Sequence, residues 1–171
     1  MLPPGFEFER MQEAHIPLMA DWLSRAHLQA WWREEEITEE NVSEKYLPRI
    51  TGHDTAIPYI VYLDKTPFGY IQYYHVQEGH NHWWPDVPGP DVIGIDQFIA
   101  DENNLGKGYG TAMISQFIDR VRSLIPVAEV RTDPHPGNAR AIRCYEKAGF
   151  QKQELIHTPD GPAWMMKLSF Q

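Results

Sequence analysis

The chain has 171 residues, and its 24 Asp and Glu outweigh 15 Lys and Arg to leave a formal net charge of −9 at pH 7. That balance argues against a nucleic-acid partner, whose affinity is dominated by basic contacts, and it suits a polycationic ligand, whose local concentration a negative potential raises. No apolar run approaches the roughly 20 residues of a membrane span, and Met1-Leu2-Pro3-Pro4-Gly5 has neither the basic nor the apolar region of a secretory leader. The lone cysteine, Cys144, excludes an intramolecular disulfide. The expectation is a single domain over 1–171, cytoplasmic, with no membrane or nucleic-acid partner, acting as a monomer or weak homodimer.

In chain order, residues 6–10 read as a first strand. Ile16, Met19, Leu23 and Ala26 give 15–28 the spacing of a helix, and Thr38 is placed to cap a second helix over 38–46. Segments 59–63 and 68–76 are strands, joined by Asp64-Lys65-Thr66-Pro67 with the chemistry of a hairpin turn. The stretch 77–91, rich in Gly, Pro and His, reads as a loop. A central strand over 92–100 follows, then a helix over 108–124, a strand over 128–132, a helix over 138–148, and closing strands near 153–157 and 163–170. This order predicts an α+β fold with a mixed, mostly antiparallel sheet flanked by helices.

The junction of the central strand with the helix after it carries the clearest chemistry. Gly106, Gly108 and Gly110 remove every Cβ from one side of a turn, so backbone N–H groups can close on an anion in front of a helix N-terminus. That arrangement suits a pyrophosphate. A Walker loop is excluded because Lys107 is followed by Gly108 rather than Ser or Thr, and the G-x-G-x-G spacing at mid-chain does not fit a Rossmann fingerprint. On this motif alone a ligand-free glycine-rich connection stays open. Downstream, Asn138 can cap a helix whose Ala141, Ile142, Tyr145 and Ala148 form one apolar face, with Gly149 at its end.

The pair G-x-G-x-G and N-x-x-A-x-x-x-Y-x-x-x-G-F resembles the GNAT superfamily of acyl-CoA-dependent N-acetyltransferases. Leu105 departs from that pattern, which usually has Gln or Arg before the first glycine, but leaves the backbone donors intact. Trp31-Trp32 followed by acids, Tyr46-Leu47-Pro48, Pro58-Tyr59-Ile60, Gly69-Tyr70-Ile71-Gln72, Trp83-Trp84, Gly94-Ile95-Asp96-Gln97-Phe98, Thr132-Asp133-Pro134 and Thr158-Pro159-Asp160-Gly161-Pro162 are similar, in order, to aminoglycoside 6′-N-acetyltransferases.

The resemblance implies the GNAT fold, acetyl-CoA as co-substrate, a polycationic amine as acceptor and no metal. It implies Asp96 as the carboxylate that takes the amine proton, directly or through water, and Tyr145 as the acid near the thioester sulfur. Phe98, Ile99, Gly106, Lys107, Gly108, Tyr109, Gly110, Thr111 and Asn138 would hold coenzyme A. Trp32, Trp83, Asp133 and Asp160, with Asp96, would bind the aminoglycoside.

Each residue also has a purely structural reading. Asp96 can be a strand carboxylate satisfied by backbone, Tyr145 a core residue, Asn138 only a cap, Asp133 and Asp160 turn residues, and the tryptophans packing anchors. His75, His80 and His82 invite zinc, but no Cys or H-E-x-x-H accompanies them, and Cys144 has no sequence-local base to make it a nucleophile. Two alternatives stand beside the main reading. One is a siderophore-biosynthesis N-acyltransferase, a branch that usually has His at the position of Asp96. The other is an idle acyl-CoA-binding regulatory domain, which the pairing of Asp96 with Tyr145 disfavours.

Overall fold

The computed structural model describes residues 4–32, 36–78 and 83–171. Its strands are β1 (Phe6–Arg10), β2 (Ile57–Leu63), β3 (Thr66–His75), β4 (Val92–Ile99), β5 (Glu129–Thr132), β6 (Gln151–Thr158) and β7 (Gly161–Ser169). They form one 7-stranded sheet in the order β1-β2-β3-β4-β5-β7-β6. Every neighbouring pair is antiparallel except β4 with β5, so the sheet is mixed and mostly antiparallel as expected. The β2–β3 turn is tighter than the sequence suggests. Only Asp64 and Lys65 lie between the strands, with φ of 51° and 65°, the left-handed pair whose twist matches a two-residue hairpin.

Strand alternation divides the core between the two faces of the sheet. Tyr59, Val61, Ile71, Tyr73 and Ile95 point to one face and pack under α4 (Tyr109–Leu124) and α5 (Ala139–Lys147). Ile60, Tyr70 and Phe98 point to the other, against Met19, Trp22 and Leu23 of α1 (Ile16–Leu23) and Val42 and Tyr46 of α3 (Glu39–Thr51).

Two helices differ from their sequence reading. The helix expected over 15–28 is broken at Arg25, whose ψ of 140° separates α1 from α2 (Ala26–Gln29). The extended backbone lets Arg25 donate to the Ala100 carbonyl at 2.7 Å and to Asp21 at 2.9 Å, a tertiary contact that outweighs local propensity. Helix α3 starts where expected, Thr38 accepting the Asn41 N–H at 3.1 Å, but runs on through Pro48 to Thr51 and ends at Gly52, φ 85°. A proline near a helix end forfeits one hydrogen bond without stopping the helix when the apolar face is already docked.

One register feature shapes the site. β4 pairs with β5 only from Val92↔Glu129 to Gly94↔Arg131, whereas its pairing with β3 continues to Gly69↔Ile99. The strands part beyond Gly94, where Thr132 Oγ1 still donates to the Ile95 carbonyl at 3.4 Å. A cleft opens between the C-terminal halves of β4 and β5.

Candidate active site

Backbone alternation settles what the cleft edge of β4 offers. A Cβ on Gly69 would collide with the Phe98 carbonyl, so that carbonyl faces β3, and the ring of Phe98 packs against Trp22, Trp32 and Tyr70. The expected cofactor role of Phe98 does not fit this geometry, since both its backbone and its side chain are committed elsewhere. The neighbours Gln97 and Ile99 turn the other way. The Ile99 carbonyl accepts from His27 Nε2 at 3.0 Å, which leaves the Ile99 N–H and both backbone groups of Gln97 to face the cleft.

At the end of β4 the glycine loop has the open turn its spacing predicts at Gly106 and Gly108 but not at Gly110. Gly106 and Gly108 have φ of 74° and 83°, and a Cβ at either would meet nothing within 4 Å. Gly108 is the N-cap of α4 and has no side chain to satisfy the first N–H groups of the helix, so those of Tyr109, Gly110 and Thr111 stay open to an anion. Gly110 serves packing instead, because a Cβ there would stand 2.9 Å from Cys144 Sγ on α5. The Tyr109 ring lies against Phe6 and Phe68, so only its backbone can serve a phosphate. Lys107 is exposed beside the loop. Thr111 Oγ1 is 3.5 Å from the Cys144 carbonyl, and Asn138 Oδ1 accepts the Ala141 N–H at 3.2 Å, so Asn138 caps α5 at the rim of the cleft. The fit to coenzyme A is good. A cradle without Cβ atoms, an uncapped helix N-terminus and a free strand edge lie in series.

The cleft broadens into a cavity of about 650 Å³ lined by Trp31, Trp32, Trp83, Asp96, Asp133 and Asp160, among others. Asp96 projects from β4 and is fixed by Gln72 on β3, its cross-strand partner, whose Nε2 donates to Oδ2 at 2.9 Å. Gln72 cannot turn its amide around. Its Oε1 accepts from Arg49 and from the Tyr70 hydroxyl, both at 2.6 Å, so its N–H must face Asp96. Burial raises the pKa of Asp96, against the opposing pull of the Gln72 hydrogen bond and the charges of Arg49 and Lys45.

Asp133, just past β5, is likewise half-buried and accepts the Trp83 indole N–H at 2.8 Å. Its pKa is raised strongly, by burial first and then by the charge of Asp96, with Asp160 adding to it. Asp160 is exposed in the β6–β7 turn, where its N–H bonds Thr158 Oγ1 at 3.1 Å. The structure therefore brings Asp96, Asp133 and Asp160 to one cavity from three separate segments, and their mutual repulsion adds to burial in raising the pKa of Asp96 and Asp133.

Tyr145 lines the same cavity from α5, with its hydroxyl beside Thr132 and Gln97. Burial lifts its pKa well above the ordinary tyrosine value. Trp32 and Trp83 each reach the cavity, Trp32 while packed edge-on to Phe98 at 5.1 Å; Trp84 lies in a small core beneath. His75 bonds the Pro90 carbonyl at 3.2 Å, and His80 and His82 lie outside the described residues, as do the acids Glu34 and Glu35. Among the described residues no His, Cys, Asp and Glu gather as a metal site. Burial raises the Cys144 thiol between α4 and α5, the opposite of nucleophile activation.

Sequence reasoning did not assign roles to Gln72, Arg49, Gln97 or Arg131. Gln72 stood only as a landmark, and nothing local to Arg49 or Arg131 distinguishes them from surface arginines.

The chain matches the Acetyltransferase (GNAT) domain family over residues 11–158. Over 158 residues, 91% of this chain and 79% of the relative, it is 41% identical to an aminoglycoside N(6′)-acetyltransferase type 1 of Klebsiella pneumoniae. A kanamycin resistance protein of Rhizobium radiobacter is 48% identical over 84 residues, 49% of this chain and 78% of that protein. The crystal structure of aminoglycoside acetyltransferase AAC(6′)-Ib with coenzyme A and kanamycin aligns with a TM-score of 0.90 at 38% identity, covering 96% of this chain and 95% of that one.

Proposed function

This chain belongs to the GNAT acetyltransferases and, within them, to the aminoglycoside 6′-N-acetyltransferases, and on that premise we propose that it moves an acetyl group from acetyl-CoA to the 6′-amine of aminoglycoside antibiotics and so confers resistance. The observation that carries the reading is the convergence of Asp96, Asp133 and Asp160 on one cavity at the mouth of the β4–β5 cleft. Three carboxylates on one cavity, with burial opposing ionisation of Asp96 and Asp133, form a poor site for an anionic acceptor and a good one for a molecule bearing several ammonium groups.

Acetyl-CoA supplies the activated acetyl group as a thioester, with its pyrophosphate held at Gly106–Thr111 and its arm along the Gln97 and Ile99 edge. The acceptor amine arrives protonated and without a lone pair. Asp96 takes one proton from it, and Gln72 keeps the carboxylate oxygen aimed at the amine. As the C–N bond forms and the C–S bond breaks, the nitrogen gives up a second proton, and one proton ends on the departing sulfur. Tyr145, whose raised pKa keeps it protonated, is placed to donate a hydrogen bond to that sulfur. Both substrates stay bound together, which supplies proximity without a covalent enzyme species.

Steady-state turnover of kanamycin tests the assignment. Asp96→Asn should retain acetyl-CoA affinity by calorimetry while kcat falls by roughly 10²–10⁴-fold, the range for a positioned base. Normal turnover by this variant removes Asp96 from the chemistry. Absence of kanamycin turnover by the unmodified protein removes the aminoglycoside reading altogether.

A further inference from the structure

Arg131 is an unusual residue for the middle of a sheet. It sits on β5 opposite Gly94 of β4 and Lys167 of β7, and its side chain is 2% exposed. A guanidinium so placed is strongly disfavoured unless its donors are satisfied, as any buried ion is. They are satisfied largely by a segment that has neither strand nor helix. Asp86 takes NH1 at 2.6 Å and NH2 at 2.9 Å in a two-pronged pair, and Glu129 takes Nε at 2.5 Å. The Trp84 ring lies 5.5 Å from the guanidinium carbon.

The same short segment grips the framework at two further points. Trp83 Nε1 donates to Asp133 at 2.8 Å, and Trp84 Nε1 donates to the Tyr74 hydroxyl at 3.3 Å. Tyr74 is in turn seated over Gly94, where any Cβ would strike its ring. Arg131 is on β5 and Asp133 is the first residue past its end, so the two stand close together along the chain. Asp86 and Trp83 are three apart in the loop. The two short spans are joined twice, by the Arg131–Asp86 charge pair and by the Trp83–Asp133 indole–carboxylate bond.

We propose that Arg131 and Asp86 are positioning residues for the acceptor: their ion pair seats residues 83–86 so that Trp83 both walls the cavity and orients the Asp133 carboxylate. Neither residue touches the acceptor. Arg131 also holds Asp86 below the ordinary carboxylate range, so the pair stays charged throughout the pH range in which the enzyme would work. The inference rests on the aminoglycoside reading for its activity measurements, but not for its spectroscopic one.

Asp86→Asn is the informative variant, because Asp86 is half-exposed and an asparagine oxygen still accepts from Arg131, so the buried guanidinium loses that charge pairing but not every partner. For kanamycin, KM should rise by about tenfold, the size expected when a residue acts on a site through packed neighbours, while acetyl-CoA KM and kcat stay within about twofold. Asp86→Glu should recover most of the loss. In a Trp83→Phe background Asp86→Asn should add nothing, the non-additivity expected when one residue acts through another. Independently of turnover, the ¹⁵N–¹H indole resonance of Trp83, assigned by its disappearance in Trp83→Phe, should move in Asp86→Asn. An unmoved indole signal overturns the proposal whether or not kanamycin is a substrate. So does an unchanged KM, a parallel rise in both KM values, or full additivity with Trp83→Phe. If the unmodified protein fails to acetylate kanamycin yet the indole signal moves, the seating stands and the aminoglycoside reading alone has failed.

Discussion

At the scale of the residue, Asp96 owes its properties to Gln72, and Gln72 owes its orientation to Arg49 and Tyr70. A neutral amide thus presents its donor to a carboxylate whose pKa burial raises, and lowers that pKa in opposition. Gln72→Glu should invert that relation. Arg49 and Tyr70 can donate to a carboxylate as they do to the amide oxygen, but Asp96 then faces a negative oxygen in place of an N–H. Ionising Asp96 becomes harder, so the acid limb of the kcat/KM profile for kanamycin should move to higher pH, with the plateau kept. Gln72→Met, which removes the donor without adding charge, should move the limb less. The measurement is kcat/KM against pH for the three proteins. Superimposable acid limbs would reduce Gln72 to a packing residue.

At the scale of the element, the N-terminus of α4 depends on what its cap lacks. Gly108 adopts φ 83° and carries no side chain, which leaves the first N–H groups of the helix to a ligand. Two substitutions separate strain from charge. Gly108→Ala should lose about 1 kcal/mol of stability to the left-handed backbone, with little change in acetyl-CoA affinity, since the space beside the residue is open. Gly108→Asp should carry the same strain and in addition cap the helix and repel the phosphates, weakening acetyl-CoA by tenfold or more, about 1.4 kcal/mol. Calorimetric titration of both folded variants checks this. Equal affinities for the alanine and aspartate forms would place the pyrophosphate elsewhere.

At the scale of the whole molecule, the acceptor cavity works against the stability of the empty protein. Asp133 and Asp96 are each harder to ionise in the folded state than in the unfolded chain, chiefly through burial. The sign follows from linkage. Below the ordinary carboxylate pKa both states are protonated and the pair costs nothing. As pH rises past that value and through the raised folded-state pKa, ionisation favours the unfolded chain, and the cost is complete above it. Asp133→Asn should therefore raise the midpoint of thermal unfolding at pH 7 by a few degrees, since about 1 kcal/mol moves a chain of this size by roughly 2–4 °C. The gain should vanish towards pH 3. The same variant should raise kanamycin KM more than acetyl-CoA KM. Kanamycin should raise the midpoint of the unmodified protein, and less so at high salt, because the ammonium–carboxylate attraction is screened. A midpoint insensitive to both the substitution and the antibiotic would mean that the three carboxylates do not act together.

Much of this protein was legible before its fold was known. The open turn at Gly106 and Gly108, the Asn138 cap and the Thr38 cap all arise from interactions within a few residues, and each has the local geometry that its spacing implied. The motifs also singled out the three aspartates, though only the fold shows that they share a cavity. What required tertiary structure joins distant parts of the chain. Gln72 meets Asp96 across 24 residues, Asp86 meets Arg131 across 45, and Trp83 meets Asp133 across 50. The first follows from strand register and the other two from where residues 83–86 fold back against β5, neither of which local periodicity encodes. The same reason accounts for the helices that departed from expectation. Arg25 breaks a helix to reach Ala100 across 75 residues, and α3 runs past Pro48 on a face already docked to the sheet. Local chemistry determined which residues this protein could use, and the pairing of its strands decided which of them meet.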